Sequence, residues 1–173
     1  MSEFVDFVRS LPKAELHLHI EGTLEPAMLM ELAEKHRIEL PYSTAADVER
    51  AYDFADLQSF LDLYYLGASV LNDEDDFYSL MFRYLNRCRD EGIVHTEMMF
   101  DPQTHTERGI GFPVFMSGFG RAMEDAKRDW GQSSSLVMCF LRHLPEESAF
   151  ETLKAAEPFH GQIMSIGLDS SEL

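Results

Sequence analysis

Apolar and polar positions along the chain follow two rhythms that take turns. Residues 13–19 alternate with period 2, Ala14, Leu16 and Leu18 on one side and Glu15, His17 and His19 on the other, which predicts a strand with a polar face. Before it, 3–10 reads as a short amphipathic helix. After it, helical spacing predicts a helix over 25–36, with Thr23 as its cap and Pro26 in its first turn. Further helices are predicted over about 44–52, about 56–71 and 73–91, the last opened by Asn72 or Asp73 and closed by Gly92. A second strand covers 93–100, where Val94, Thr96 and Met98 alternate with Ile93, His95, Glu97 and Met99. Residues 101–111 carry turn residues and are expected to form a loop, followed by a helix over about 113–130. The third predicted strand, 135–141, is almost continuously apolar, as strands covered on both faces are. A helix over about 146–157 and a fourth strand over 161–168 complete the pattern.

Strands alternating with helices imply a parallel sheet with right-handed crossovers, so the expected class is α/β. Two architectures satisfy this: an open doubly wound sheet complete at four or five strands, and a closed barrel of eight, of which four are counted here. The first strand is followed by His17-Leu18-His19-Ile20-Glu21-Gly22 where a dinucleotide fold would carry a Gly-rich fingerprint. No linker, low-complexity stretch or solenoid repeat interrupts the chain, so 1–173 is expected to fold as one unit with no second domain.

Charge narrows the function classes. With 31 acidic against 14 basic residues the formal net charge is −17, which would repel a phosphate backbone. No Lys/Arg cluster offsets it, so neither nucleic acid nor an anionic membrane surface is an expected partner. The opening MSEFVDFVRSLPKAEL has acids where a signal peptide needs bases, and no apolar run is long enough to span a bilayer, so a cytoplasmic location is expected. Cys88 and Cys139 are far apart and read as buried thiols; ten Met and thirteen Phe predict a core of large side chains.

The candidate chemistry lies at the end of the first strand. His17 and His19, two apart, point to one side of it, where two imidazoles can meet one metal ion. Zinc accepts neutral imidazole nitrogens, and a catalytic site needs about three protein ligands and an open position. On an edge strand a His-x-His pair is also an ordinary surface feature. Its place at the carboxyl end of the first strand, directly before Glu21-Gly22, is where a barrel puts its chemistry.

The run Leu11-Pro12-Lys13-Ala14-Glu15-Leu16-His17-Leu18-His19-Ile20-Glu21-Gly22-Thr23 resembles the opening of the adenosine/adenine deaminase family, within the metal-dependent amidohydrolase superfamily. Phe100-Asp101-Pro102-Gln103-Thr104-His105 and Gly167-Leu168-Asp169-Ser170-Ser171-Glu172, after the second and fourth strands, are similar to its adenine deaminase branch. The resemblance implies the N-terminal half, about four β/α units, of a (β/α)8 barrel, with one Zn2+ per complete site. It implies hydrolytic deamination of adenine to hypoxanthine and ammonia, a purine-salvage reaction, with His17 and His19 as zinc ligands. The family's catalytic acid and base residues fall beyond Leu173, so none is expected in this chain. The alternatives are adenosine as substrate, or a non-catalytic half-barrel that binds or assembles with a partner.

Glu21 stands where adenosine deaminases carry a shorter Asp that meets the ribose. A longer carboxylate would crowd a sugar, so the resemblance makes Glu21 a substrate-binding residue favouring free adenine; read alone, it could start a loop or cap the next helix. Ser170 falls where the family brings backbone close to the purine and is the second candidate substrate contact, while Asp169 and Glu172 read equally as helix caps. Asp101 and His105 lie on the same functional face, though Asp-Pro also opens ordinary turns. His36, His95, His143 and His160 lack partner spacing, and Tyr52, Tyr64, Tyr65 and Trp130 read as packing residues. Four strands of a barrel leave two open edges, so the chain is expected to self-associate or to pair with a C-terminal half.

Overall fold

Four parallel strands hydrogen-bond in the order in which they occur along the chain. The computed structural model describes residues 3–171; Glu172, one of the expected caps, lies outside them. The strands are β1 (Lys13–His19), β2 (Ile93–Phe100), β3 (Ser133–Leu141) and β4 (Ile163–Asp169). The helices are α1 (Glu3–Ser10), α2 (Pro26–His36), α3 (Ala45–Arg50), α4 (Leu57–Ala68), α5 (Glu74–Glu91), α6 (Pro102–Thr106), α7 (Phe112–Trp130) and α8 (Glu146–Ala155). The α/β reading therefore holds. Among the described residues no helix is long and apolar enough to cross a membrane.

Local chemistry explains most boundaries. The Asp73 side chain accepts from the N–H of Asp76 and closes a capping box at the start of α5, and Gly92, at φ 74°, ends it in the left-handed conformation that a residue without Cβ adopts freely. Thr23, expected to cap α2, instead donates to the Ile20 carbonyl at 2.7 Å within a 3-10 turn, Ile20–Thr23; Glu25 stands at the cap and Pro26 opens the helix. The 101–111 segment, expected as loop, contains α6, because Pro102 supplies a preset φ at the first helical position.

The strand register corrects the simple alternation of β1. Glu15 lies opposite Thr96 and Leu18 opposite Met98, so three steps of β1 match two of β2. This one-residue bulge leaves Glu15 and Leu18 on the face of Thr96 and Met98, while His19, opposite Met99, turns to the other. Glu15 thus does not share a face with His19; it accepts a hydrogen bond from Tyr84 of α5 at 2.6 Å.

The core fills the space between that outer face and the helices. Phe77, Phe100, Phe115 and Phe119 are wholly buried there, with Phe77 and Phe119 edge to face at 5.6 Å, as ring quadrupoles favour. Helices α5 and α7 cross closely because Gly118 has no side chain: a Cβ there would lie 2.6 Å from the Glu74 carbonyl oxygen. Both cysteines are buried, as expected, and burial pushes the Cys88 thiol up to about 11. On β4 the outward row Met164, Ile166 and Leu168 is exposed.

Candidate active site

The carboxyl ends of β1, β2 and β4 converge on a cleft of about 380 Å³. Its polar lining is His17, His19, Tyr64, Tyr65, Asp101, Asp169 and Ser170; Leu57, Phe60 and Leu61 of α4 form its apolar wall. His17 and His19 have ring centroids 5.9 Å apart and tilted by 41°. The two imidazoles expected to share a face therefore open on the same cleft.

His19 faces carboxylates on its other side. Its Nδ1 lies 3.3 Å from Oδ2 of Asp169 and 3.9 Å from Oδ1 of Asp101. Asp101 and Asp169, opposite the ring, raise its pKa to about 10 against the lowering effect of burial. Burial and the nearby Glu21 charge hold Asp101 well above the usual carboxylate range. Asp169 moves the other way: burial pushes it up, but its contacts with His19 and Asp101 outweigh that and hold it down.

Asp101 Oδ1 and Asp169 Oδ1 are buried without a hydrogen-bond partner, although buried acceptors are nearly always satisfied. Ligand atoms of His19, Asp101 and Asp169 all lie within 4.8 Å of one another. Two orphaned carboxylate oxygens beside two imidazoles suit a divalent cation. Carboxylates that face one ring nitrogen and leave the other free are also how metal-holding histidines are oriented.

Behind the cleft sits a second layer. Glu21, fully inaccessible, does not line the cleft: Oε1 accepts from the Asp101 N–H at 3.1 Å and sits 2.9 Å from His105 Nε2. The Tyr64 hydroxyl lies 2.8 Å from Asp101 Oδ2 and 3.1 Å from Glu21 Oε2. The direct encounter with substrate expected of Glu21 is not the arrangement seen, because protein donors surround its carboxylate. Ser170 is at the cleft, with φ 73°, rare for a residue bearing Cβ. Its Oγ lies 2.5 Å from the Tyr65 hydroxyl and 2.9 Å from His143 Nδ1.

Sequence reasoning passed over Tyr64, Tyr65, Asp169 and His143 as site residues. The available signal was the tyrosine pair, Tyr64 and Tyr65, on one helix, since a buried Tyr hydroxyl needs a partner. His36 and His95 pair with Asp76 and Ser133, away from the cleft.

A family model described as adenosine deaminase matches residues 12–173. The chain belongs to the adenosine deaminase family. It is 54% identical over 168 residues to an adenine deaminase of Acinetobacter baylyi, covering 97% of this chain and 51% of that protein. It is 53% identical over 173 residues to an adenine deaminase of Wolinella succinogenes, covering 100% and 52%. The crystal structure of an adenine deaminase from Arthrobacter aurescens superposes with a TM-score of 0.89 at 46% identity, covering 93% of this chain and 49% of that one. A more distant likeness, in fold alone, is to an amidohydrolase from Burkhoderia ambifaria with bound Zn, with a TM-score of 0.82 at 20% identity and coverage of 96% and 46%. The chain spans about half the length of the curated relatives it matches. Its sheet is accordingly the N-terminal half of a (β/α)8 amidohydrolase barrel, which decides between the two architectures left open by the pattern.

Proposed function

We propose that the protein to which this chain corresponds deaminates adenine hydrolytically to hypoxanthine and ammonia, and that this chain supplies the first part of its active site. The observation that carries the reading is the His17–His19 pair opening on a cleft whose two buried Asp oxygens lack partners, in a chain half of whose length or more is identical to adenine deaminases. His17 and His19 would hold one zinc ion, with Asp101 and Asp169 orienting His19 through Nδ1 or joining it as ligands. Zinc bound there supplies the Lewis acidity that lets water act as a nucleophile near neutral pH.

The chain's own groups shape the rest. Leu57, Phe60 and Leu61 offer an apolar wall for a planar purine and exclude water beside it. Ser170 presents its backbone at the cleft in a fixed αL conformation, held by Tyr65 and His143, and so can meet a ring nitrogen or a ring N–H. Glu21 contributes to recognition indirectly, through Tyr64 and Asp101. The exposed β4 row supports pairing of this half with a second barrel half or a second copy.

Deamination assays on the full-length protein with adenine, adenosine and cytosine test the reading. Adenine is expected to turn over fastest, with activity lost in His17→Ala and in His19→Ala. Faster turnover of adenosine or cytosine, or full activity in both variants, would overturn it.

A further inference from the structure

Arg108 is half-buried behind the cleft and fixed by main-chain carbonyls. Its guanidinium donates to Thr104 O at 3.2 Å, Ser69 O at 2.8 Å and Leu71 O at 2.8 Å. One of its Nη atoms also stands 3.2 Å from His105 Nδ1. A guanidinium has five N–H donors and no acceptor, so the imidazole nitrogen it meets must offer a lone pair. The His105 proton is therefore on Nε2, and that N–H donates to Glu21 Oε1 at 2.9 Å. His105 and Glu21 are both wholly inaccessible, and the ring is clamped edge to face against Phe77 at 4.8 Å.

A cation, a neutral imidazole and a carboxylate thus stand in series. The same Glu21 oxygen accepts the Asp101 N–H, and the Tyr64 hydroxyl ties the carboxylates of Glu21 and Asp101 together. The far side of Asp101 presents its unpartnered Oδ1 to His19.

We propose that Arg108, His105 and Glu21 form a relay of positioning residues, with His105 held as its neutral Nε2–H tautomer, that sets Asp101 and through it the orientation of His19 for cation binding. The relay rests on the metal-centre reading above for its purpose, and on hydrogen-bond geometry alone for its existence. A buried ion pair between His105 and Glu21 would be the competing arrangement, and the Arg108 contact decides against it. The other titratable groups near His105 are Glu21 and Arg108; Asp101 and Tyr64 lie one step further on, beyond Glu21.

Two sets of measurements on the full-length protein test the relay. Long-range 15N correlation spectra of imidazole-labelled protein should give His105 one protonated and one unprotonated nitrogen, with the proton on Nε2; two protonated nitrogens would overturn the proposal. Amide exchange at Asp101 and zinc affinity by competition with a chromogenic chelator are then compared across variants. His105→Gln supplies one donor and one acceptor, like the neutral tautomer, and is expected to keep the Asp101 amide protected and zinc affinity within about threefold of wild type. His105→Phe and Glu21→Ala should expose that amide and weaken zinc by about 10- to 100-fold, the usual cost of losing groups that orient a metal ligand. Wild-type exchange at Asp101 in Glu21→Ala, or loss of protection in a folded His105→Gln, would overturn the relay. Should His105→Phe fail to fold, Glu21→Gln takes its place, with the Asp101 amide expected to stay protected by the amide oxygen. Absence of zinc binding by the wild type would sink the metal-centre reading, while the tautomer and exchange results would still judge the relay.

Discussion

Nδ1 of His19 on β1 lies 3.3 Å from Oδ2 of Asp169 on β4, although these are the two outermost strands of the sheet. Strands pair about 4.8 Å apart, so in a flat sheet three intervals would separate them by roughly 14 Å, beyond the reach of two such side chains. The contact requires the sheet to curl until its inner faces converge at their carboxyl ends. Curvature, not sequence proximity, gathers the candidate site.

Removing either carboxylate should loosen the cation. Asp101→Asn and Asp169→Asn each keep the size of the side chain but turn a carboxyl group facing His19 into an amide that cannot ionise. Zinc affinity, measured by calorimetry at neutral pH, is expected to fall about 10- to 100-fold in each. Unchanged affinity in both variants would mean that the orphaned oxygens do not serve the cation.

A stability device away from the site should show itself in acid. Burial pushes the Asp76 carboxyl up, but Lys35 at 2.6 Å, the N–H groups of Asn72 and Asp73, and His36 at 2.7 Å outweigh burial and hold its pKa below the ordinary value. A group whose native pKa is depressed stabilises the fold fully above its unfolded value, near pH 4, and that contribution is lost as pH falls through the native value. Asp76→Asn is expected to cost about 1–3 kcal/mol at neutral pH. It should also flatten the loss of stability below about pH 4 in urea unfolding. An acid limb as steep as that of the wild type would refute the assignment.

Packing of α5 against α7 should be intolerant at one glycine and tolerant at its near neighbour. A Cβ at Gly118 would meet the Glu74 carbonyl oxygen at 2.6 Å and the Tyr78 nitrogen at 2.8 Å, neither of which can move without shifting a helix. At Gly120 the nearest atom is the flexible Gln162 Oε1 at 3.3 Å. Gly118→Ala is expected to destabilise by about 1–3 kcal/mol. Gly120→Ala should be close to neutral, the strain offset by better helix propensity. Equal unfolding midpoints for the two variants would contradict this.

The apolar row on β4 should drive association. Met164, Ile166 and Leu168 are each more than half exposed. Sedimentation velocity is expected to show concentration-dependent assembly of this chain, reduced in Ile166→Lys with the thermal midpoint little changed. A strictly monomeric wild type would argue that the row is not a contact surface.

Period-2 and period-3.6 patterning, with Asp73, Gly92 and Pro26 at element ends, was enough by itself to determine the order of strands and helices and the α/β class, because these signals act between residues a few positions apart. The same local logic put His17 and His19 at a strand end facing one way. It misjudged Glu15, since the bulge in β1 arises from pairing with a strand about 80 residues further on. It also missed Tyr64, Tyr65 and Asp169 and read Glu21 as a direct contact. Whether a carboxylate faces a cleft or a buried imidazole depends on which side chains the curled sheet and α4 bring beside it. Burial, hydrogen-bond satisfaction and charge coupling are properties of neighbours in space, so tertiary structure alone decided that Asp101 and Asp169 flank His19 while Glu21 stands behind them.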